Sequence, residues 1–342
     1  MGTNFSSSAD NLISSSLVSS QLIHRHTLST CYDAIFDISL SSTTNSILLS
    51  DDGRLRSFSI DLENNCQLIE TTISSNKVLT HEQIHDIVWS TQLNRFLVLT
   101  SKRLTTYDQE NNLIDLDLGL EKNSPPFWRM ACWSSHLIVN LGLGISLRYH
   151  TLSSSSSIPL IQTYTRSSLG YTNFDLLSSV SLSPQLILAI NVELTNNRHV
   201  IDLFSIADEK NFQFLKRIHT NEPCALDIIT SLRDYTWLCK SHWPSDDCLC
   251  LIESDGQVNK LNLHDQNGYI LNLRLLTDRS HLVIIRTANK LPKEIDPNEL
   301  NRIDEDEEQQ QQQITHGRKR EIIGKLPGNL LLEIYKIPDL VK

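Results

Sequence analysis

Glycine is scarce in this chain, 11 in 342 residues, about 3% where roughly 7% is usual. That excludes a collagen-like fibre. Long hydrophobic runs are missing as well. The longest apolar stretch, from Leu137 to Leu147, is shorter than the roughly 18 residues a membrane helix needs. The seven cysteines include no Cys-x-x-Cys pair, which points to reduced thiols and against a disulfide framework. Basic charge is in deficit: 30 Lys and Arg stand against 40 Asp and Glu, a net charge of -10. A field of that sign repels phosphate backbones, so no nucleic-acid partner is expected. The N-terminus has no basic segment followed by an unbroken apolar one, because serines recur from residue 6 to residue 20. No secretory signal is expected and the predicted location is cytoplasmic. Walker A, HExxH and GxSxG matches are absent, and Gly142-Leu143-Gly144 lacks the third glycine and the following helix of a dinucleotide fingerprint.

What is present is a repeat, with a period of roughly 35 to 55 residues, built of four short β-type segments. The clearest copy runs His85 to Ser90, Arg95 to Ser101, Arg103 to Asp108 and Asn112 to Leu118. Each segment has strand length, is rich in β-branched and aromatic residues, and ends at Ser, Asn, Asp or Gln. First segments recur at Asp37, Asp86, Met130, Ser179, Asp227 and Asn272, and each is followed by a turn and a short apolar run such as Phe96 to Leu99 or Leu282 to Ile285. Fourth segments read QLIE (Gln67 to Glu70), NLID (Asn112 to Asp115) and PLIQ (Pro159 to Gln162). The last copy has no fourth segment after Leu330 to Pro338, whereas Gln21 to Ser29 matches the missing wording at the other end. An N-terminal strand that completes the last sheet closes a circle and removes the exposed edges.

This pattern, with HDIVWS, RFLVLTS and RLTTYD as its best copy, resembles the WD40-like β-propeller superfamily over residues 21–288 and 329–340. Tyr107-Asp108 stands where that family carries Trp-Asp. The fold class predicted is therefore all-β, a six-bladed β-propeller of four-stranded antiparallel sheets closed by the N-terminal strand. Seven blades stay open, because Cys224 to Leu263 divides in more than one way. Residues 1–20 are Ser-rich and poor in apolar residues, which predicts a disordered tail. Residues 289–328 carry an acidic run (Asp304 to Glu308), a glutamine tract (Gln309 to Gln313) and a basic triplet (Arg318 to Arg320). They are expected to form a disordered loop inserted in the last blade, a tolerable insertion because loop closure grows only slowly with length.

Four candidate sites follow. Asp37, Asp86, Asp227 and Asn272 share one register near the start of first segments. The resemblance implies that this strand lines the central channel, where enzymatic propellers hold Ca2+ with oxygen ligands. Against that metal reading stands a capping one, in which each Asx side chain bonds backbone amides at a turn. The start Met1-Gly2-Thr3-Asn4-Phe5-Ser6 fits an N-myristoylation pattern, so membrane contact is expected only if Gly2 is acylated. Cys239, His242, Cys248 and Cys250 lie close together, but Cys-x-Cys on a flat strand splays its thiolates, which predicts buried thiols in place of a zinc site. Trp89, Trp133 and Trp237 fall within strands and are assigned to packing. Trp128 and Trp243 sit near prolines in connections and are candidates for a binding surface.

No nucleophile, base and orienter occur together. The expected function is a monomeric, non-catalytic interaction module without a cofactor, binding a protein or peptide. The alternative is a metal-dependent hydrolase or lactonase that uses the Asp/Asn ring and a divalent ion such as Ca2+.

Overall fold

In the computed structural model the described residues are 21–28, 38–41, 43–51, 54–61, 67–71, 84–108, 113–121, 123–153, 157–195, 198–208, 211–219, 226–233, 236–241, 249–253, 257–261, 270–275, 281–287 and 330–336. After β1 (Gln21–Leu28) the strands come in fours. Blade 1 is β2 (Ile38–Leu40), β3 (Ser46–Asp51), β4 (Arg54–Asp61) and β5 (Gln67–Thr71). Blade 2 is β6 (Ile84–Ser90), β7 (Arg95–Thr100), β8 (Leu104–Tyr107) and β9 (Leu113–Leu116). Blade 3 is β10 (Phe127–Trp133), β11 (His136–Leu141), β12 (Ser146–Thr151) and β13 (Leu160–Thr165). Blade 4 is β14 (Leu176–Leu182), β15 (Ile187–Glu193), β16 (His199–Asp208) and β17 (Asn211–His219). Blade 5 is β18 (Leu226–Arg233), β19 (Thr236–Ser241), β20 (Leu249–Ile252) and β21 (Val258–Leu261). Blade 6 is β22 (Ile270–Leu275), β23 (His281–Thr287) and β24 (Leu330–Lys336), with β1 as its fourth strand.

The strand pairs within each sheet are antiparallel. The innermost strands touch in a closed ring: β2, β6, β10, β14, β18, β22 and back to β2. The fold is a β-propeller, and the choice between six and seven blades resolves to six. Closure runs through β1, whose register against β24 extends from Gln21↔Lys336 to Leu28↔Leu330 with one irregularity between Leu22 and His24. Residues 1–20 and 289–328, assigned above to a tail and an inserted loop, lie outside the described residues.

The reason for this architecture lies in the second strand of each blade. Alternate side chains of a strand point to opposite faces, so a strand that is apolar at every position is buried on both. Leu97 and Leu99 of β7 pack with Leu137 and Val139 of blade 3, while Phe96 and Val98 pack with Leu48 and Leu55 of blade 1. Val283 and Ile285 of β23 meet Ile47 and Leu49 of blade 1, and Leu282 and Ile284 meet Leu238 and Leu249 of blade 5. The interfaces of blade 4 with blades 3 and 5 are built in the same way. The core is thus a set of interblade layers, one at each of the six junctions.

Polar pairs tie third strands to fourth strands. Arg56 donates to both carboxylate oxygens of Glu70 (2.6 and 2.9 Å). Arg217 grips Asp202 with two bonds (2.8 and 2.7 Å), and the same buried carboxylate accepts the Tyr171 hydroxyl at 2.7 Å. Of the tryptophans assigned to packing, Trp237 is fully buried and Trp89 lies edge-on to Phe96, ring centroids 4.8 Å apart. Trp133 departs from its assignment. It ends β10 at a tight turn, before Ser134 with φ 51°, and is 38% exposed.

His150 on β12 is buried, and burial pushes its pKa down to about 4, against the opposing influence of the Ile158 and Pro159 backbone. Its folded pKa lies below the unfolded value, so the unfolded chain takes up the proton first. Stability conferred by neutral His150 is whole above about pH 6.5 and is lost as pH falls toward 4, at up to about 1.4 kcal/mol per pH unit. Denaturant titrations between pH 7 and 4 should show this slope, and His150→Leu should flatten it. An unchanged slope in the variant would refute the assignment.

Candidate functional site

Five of the six first strands share one irregularity. Each of β6, β10, β14 and β22 carries a bulge near its start, between Ile84 and Asp86, Phe127 and Arg129, Leu177 and Ser179, and Ile270 and Asn272. β18 has a register shift at the corresponding end, between Leu226 and Ile229. A bulge adds a residue and re-aims the side chains around it. Asp86, Arg129, Ser179 and Asn272 therefore follow the bulge in four blades, opposite Leu99, Asn140, Asn191 and Ile285 of their second strands. The first-segment repeat in the sequence puts Met130 in this ring. The pairing puts Arg129 there instead, because β10 ends at Trp133, paired with His136, as β6 ends at Ser90, paired with Arg95.

Asp86 is buried, and its carboxylate caps two backbone amides. Oδ1 accepts the Ile87 N–H and Oδ2 accepts the Met130 N–H of the next blade, both at 2.9 Å. The Arg274 guanidinium of blade 6 approaches Oδ1 at 3.5 Å, reaching past blade 1. Asn272 behaves in the same way: its Oδ1 accepts the Leu273 N–H (2.8 Å) and Arg274 Nη1 (3.1 Å). The two described members of the proposed metal ring thus act as caps that share an internal cation. Asp37, Trp243 and Gly2 lie outside the described residues. Asp227 is on β18, with a side chain that is not described. Among the described residues no group of three or more His, Cys, Asp or Glu is placed to hold a metal ion.

Around Asp86 a polar belt joins neighbouring blades. Arg129 donates to the His85 carbonyl and lies over the Trp128 ring, 5.6 Å from its centroid. Trp128 packs on His85 (centroids 5.5 Å apart), and its indole N–H donates to the Ser178 carbonyl of blade 4 at 3.2 Å. Asn140 donates to the Leu177 carbonyl at 2.8 Å. Trp128, one of the sequence candidates for a binding surface, is half-buried at the inner rim of this belt.

The same end of blades 3 and 4 carries two loops that sequence reasoning did not single out. Leu141 pairs with Phe127 and with Ser146, and Ser146 pairs with Thr165, so residues 142–145 and 166–175 emerge beside the bulged start of β10. The first loop passes through Gly144, at φ 92°, where a Cβ would stand 2.5 Å from Leu177 Cβ. Only glycine permits that approach. Arg166 bridges the loops: Nε donates to the Gly144 carbonyl at 3.0 Å and Nη1 donates to the Asn173 carbonyl. Burial lowers the Arg166 pKa, against the pull of Asp175. Asp175 closes the second loop, accepting the Thr172 N–H at 2.7 Å and the Thr195 N–H and hydroxyl at 3.2 Å each. Burial works to raise the Asp175 pKa, but these Thr172 and Thr195 bonds hold it below its ordinary value. The residues that follow the two bridged carbonyls are Ile145, 49% exposed, and Phe174, 66% exposed. The only signal in the sequence was an aromatic residue among turn formers, Thr172-Asn173-Phe174-Asp175.

No family model matches the chain, and no curated protein does. Among solved structures, the streptogramin B lyase structure superposes with a TM-score of 0.51 at 10% identity, covering 76% of this chain and 80% of that one. Raptor of Chaetomium thermophilum gives 0.51 at 12% identity, covering 78% of this chain and 24% of that one. Virginiamycin B lyase from Staphylococcus aureus gives 0.49 at 10% identity, with coverages of 78% and 82%. At such identities likeness speaks for architecture alone, and the two superpositions at 0.51, together with the six closed sheets, identify the chain as a β-propeller.

Proposed function

We propose that the protein is a non-catalytic recognition module that binds a protein or peptide on the face carrying Ile145, Arg166 and Phe174, with Trp128 at its inner rim. The single observation that carries this reading is the pair of exposed apolar side chains on loops braced by Arg166 and Asp175. Rigid loops lose little entropy on binding, and exposed aromatic and aliphatic anchors supply the buried area that dominates such contacts. The lyase among the structural neighbours is a reminder that a propeller also hosts catalysis, so the site and not the fold must decide. The belt around Asp86 favours the capping role, since a metal ion there would have to displace Arg274 and two amide bonds. In this reading the protein works as a cytoplasmic monomer of WD40-like type, without a cofactor.

The test places a photo-crosslinking residue at Phe174 and, on the opposite face, at Trp133 of the full chain in cells. Capture at position 174 is expected. The captured protein, once purified, should bind Phe174→Ala about 10- to 30-fold more weakly than wild type, as loss of a roughly 2 kcal/mol anchor requires. Capture confined to position 133, or equal affinity for the variant, overturns the reading. A bound Ca2+ that raises the melting temperature and is lost in Asp86→Ala would put the hydrolase first.

A further inference from the structure

Of the residues weighed as zinc ligands, His242 and Cys248 lie outside the described residues, and Cys239 and Cys250 take up a different relation. Cys239 of β19 and Cys250 of β20 are direct cross-strand partners. Residues opposite each other on antiparallel strands share a face, and Trp237↔Ile252, two positions along, shares that face as well. Both thiols are fully buried and not disulfide-bonded, in the layer between blades 4 and 5 where Cys239 packs with Ile187, Ile201 and Leu203. Opposed residues of an antiparallel pair have Cα atoms about 4.5 or 5.5 Å apart, and both spacings fall inside the roughly 4.4–6.8 Å that a disulfide spans. Their pairing thus places the two Cα atoms within reach of a disulfide.

We propose that Cys239 and Cys250 form a redox couple, a buried dithiol that closes to a cross-strand disulfide under peroxide. The balance is simple. One thiol, as its thiolate, attacks hydrogen peroxide to give a sulfenic acid, with water leaving. The second thiol then displaces the hydroxyl group as a second water and forms the S–S bond. Two sulfurs are oxidised by one electron each and one peroxide is reduced by two. Burial pushes the Cys239 thiol well above its ordinary pKa, so the thiolate is rare while the blade is closed. Oxidation is therefore gated by local opening of the β19–β20 pair, and the finished bond locks those two strands together. This couple is independent of the recognition face, since it lies between blades 4 and 5 and shares no residue with it.

The experiment treats the folded full-length protein with excess hydrogen peroxide, quenches it in acid, alkylates under denaturing conditions and maps tryptic peptides. Lys240 separates the two cysteines, so cleavage leaves them on different peptides that only a disulfide holds together. The expected product is the linked pair of residues 234–240 and 241–260, about 2 Da lighter than the two peptides summed. It should appear equally in Cys248→Ser and be absent in Cys250→Ser. Cys239 and Cys250 recovered alkylated, or each oxidised singly, would overturn the proposal, and so would a link that disappears in Cys248→Ser. A urea-unfolded sample treated alike, in which pairing scatters over the seven cysteines, calibrates the oxidant.

Discussion

Glu333→Ala is expected to destabilise the protein by about 3–5 kcal/mol, the usual consequence of stranding a buried charge. Glu333 is fully buried on β24, the strand that β1 joins to close the ring. Its Oε1 accepts Arg25 Nε of β1 at 2.7 Å, and its Oε2 faces Arg286 Nε of β23 at 2.6 Å. The Tyr335 hydroxyl donates to Oε2 at 2.8 Å and accepts Arg286 Nη2 at 2.6 Å. Burial raises the Tyr335 pKa, against the lowering influence of Arg286, so the phenol stays protonated and able to donate. Loss of the carboxylate leaves the Arg286 guanidinium, 2% exposed, without its counter-charge, and removes the ion pair that ties β1 to its sheet. Arg25→Ala should cost only about 1 kcal/mol, because that side chain is 37% exposed and solvent screens its charge. Urea denaturation measures both. If Glu333→Ala does not fold, the double variant Glu333→Leu with Arg286→Met restores folding, since an apolar pair of similar volume avoids the stranded charge. A loss below about 1 kcal/mol for Glu333→Ala alone would show that the network is not what holds the closing blade.

Trp237→Ala should be comparably severe, about 3–5 kcal/mol, for a different reason. Trp237 fills the layer between blades 4 and 5, packed with Ile187, Ile201, Leu203 and Ile218 of one and Ile252 of the other. A strand-borne side chain between two stiff sheets leaves a cavity that neither sheet can collapse to fill, and the lost contacts add to the lost transfer energy. Its indole nitrogen has no hydrogen-bond partner among the described residues. Trp237→Phe therefore forfeits no hydrogen bond and should cost less than half as much. Trp133→Ala, at an exposed turn, is the contrasting case and should stay within about 1 kcal/mol. Equal midpoints for Trp237→Ala and Trp133→Ala would contradict this account of the interblade core.

The sequence by itself determined the architecture. Runs such as Phe96 to Leu99 and Leu282 to Ile285 are apolar on both faces of a strand, so each sheet needs a neighbour on either side, and the fourth-strand wording of Gln21 to Ser29 marked the closing strand. Those signals are local and periodic, and burial acts on each of them where it stands. Tertiary structure alone decided the number of blades, which is a property of ring closure. It also decided which residue follows each bulge, because Trp133 ends β10 where Ser90 ends β6, which moves the frame by one and brings Arg129 into the Asp86 register. The reach of Arg274 across to Asp86, the Arg166 brace beneath Ile145 and Phe174, and the facing of Cys239 with Cys250 were equally hidden. Each is a meeting of segments far apart in the chain or set by hairpin register. No local pattern encodes such a meeting, because its energy exists only once the sheets have stacked.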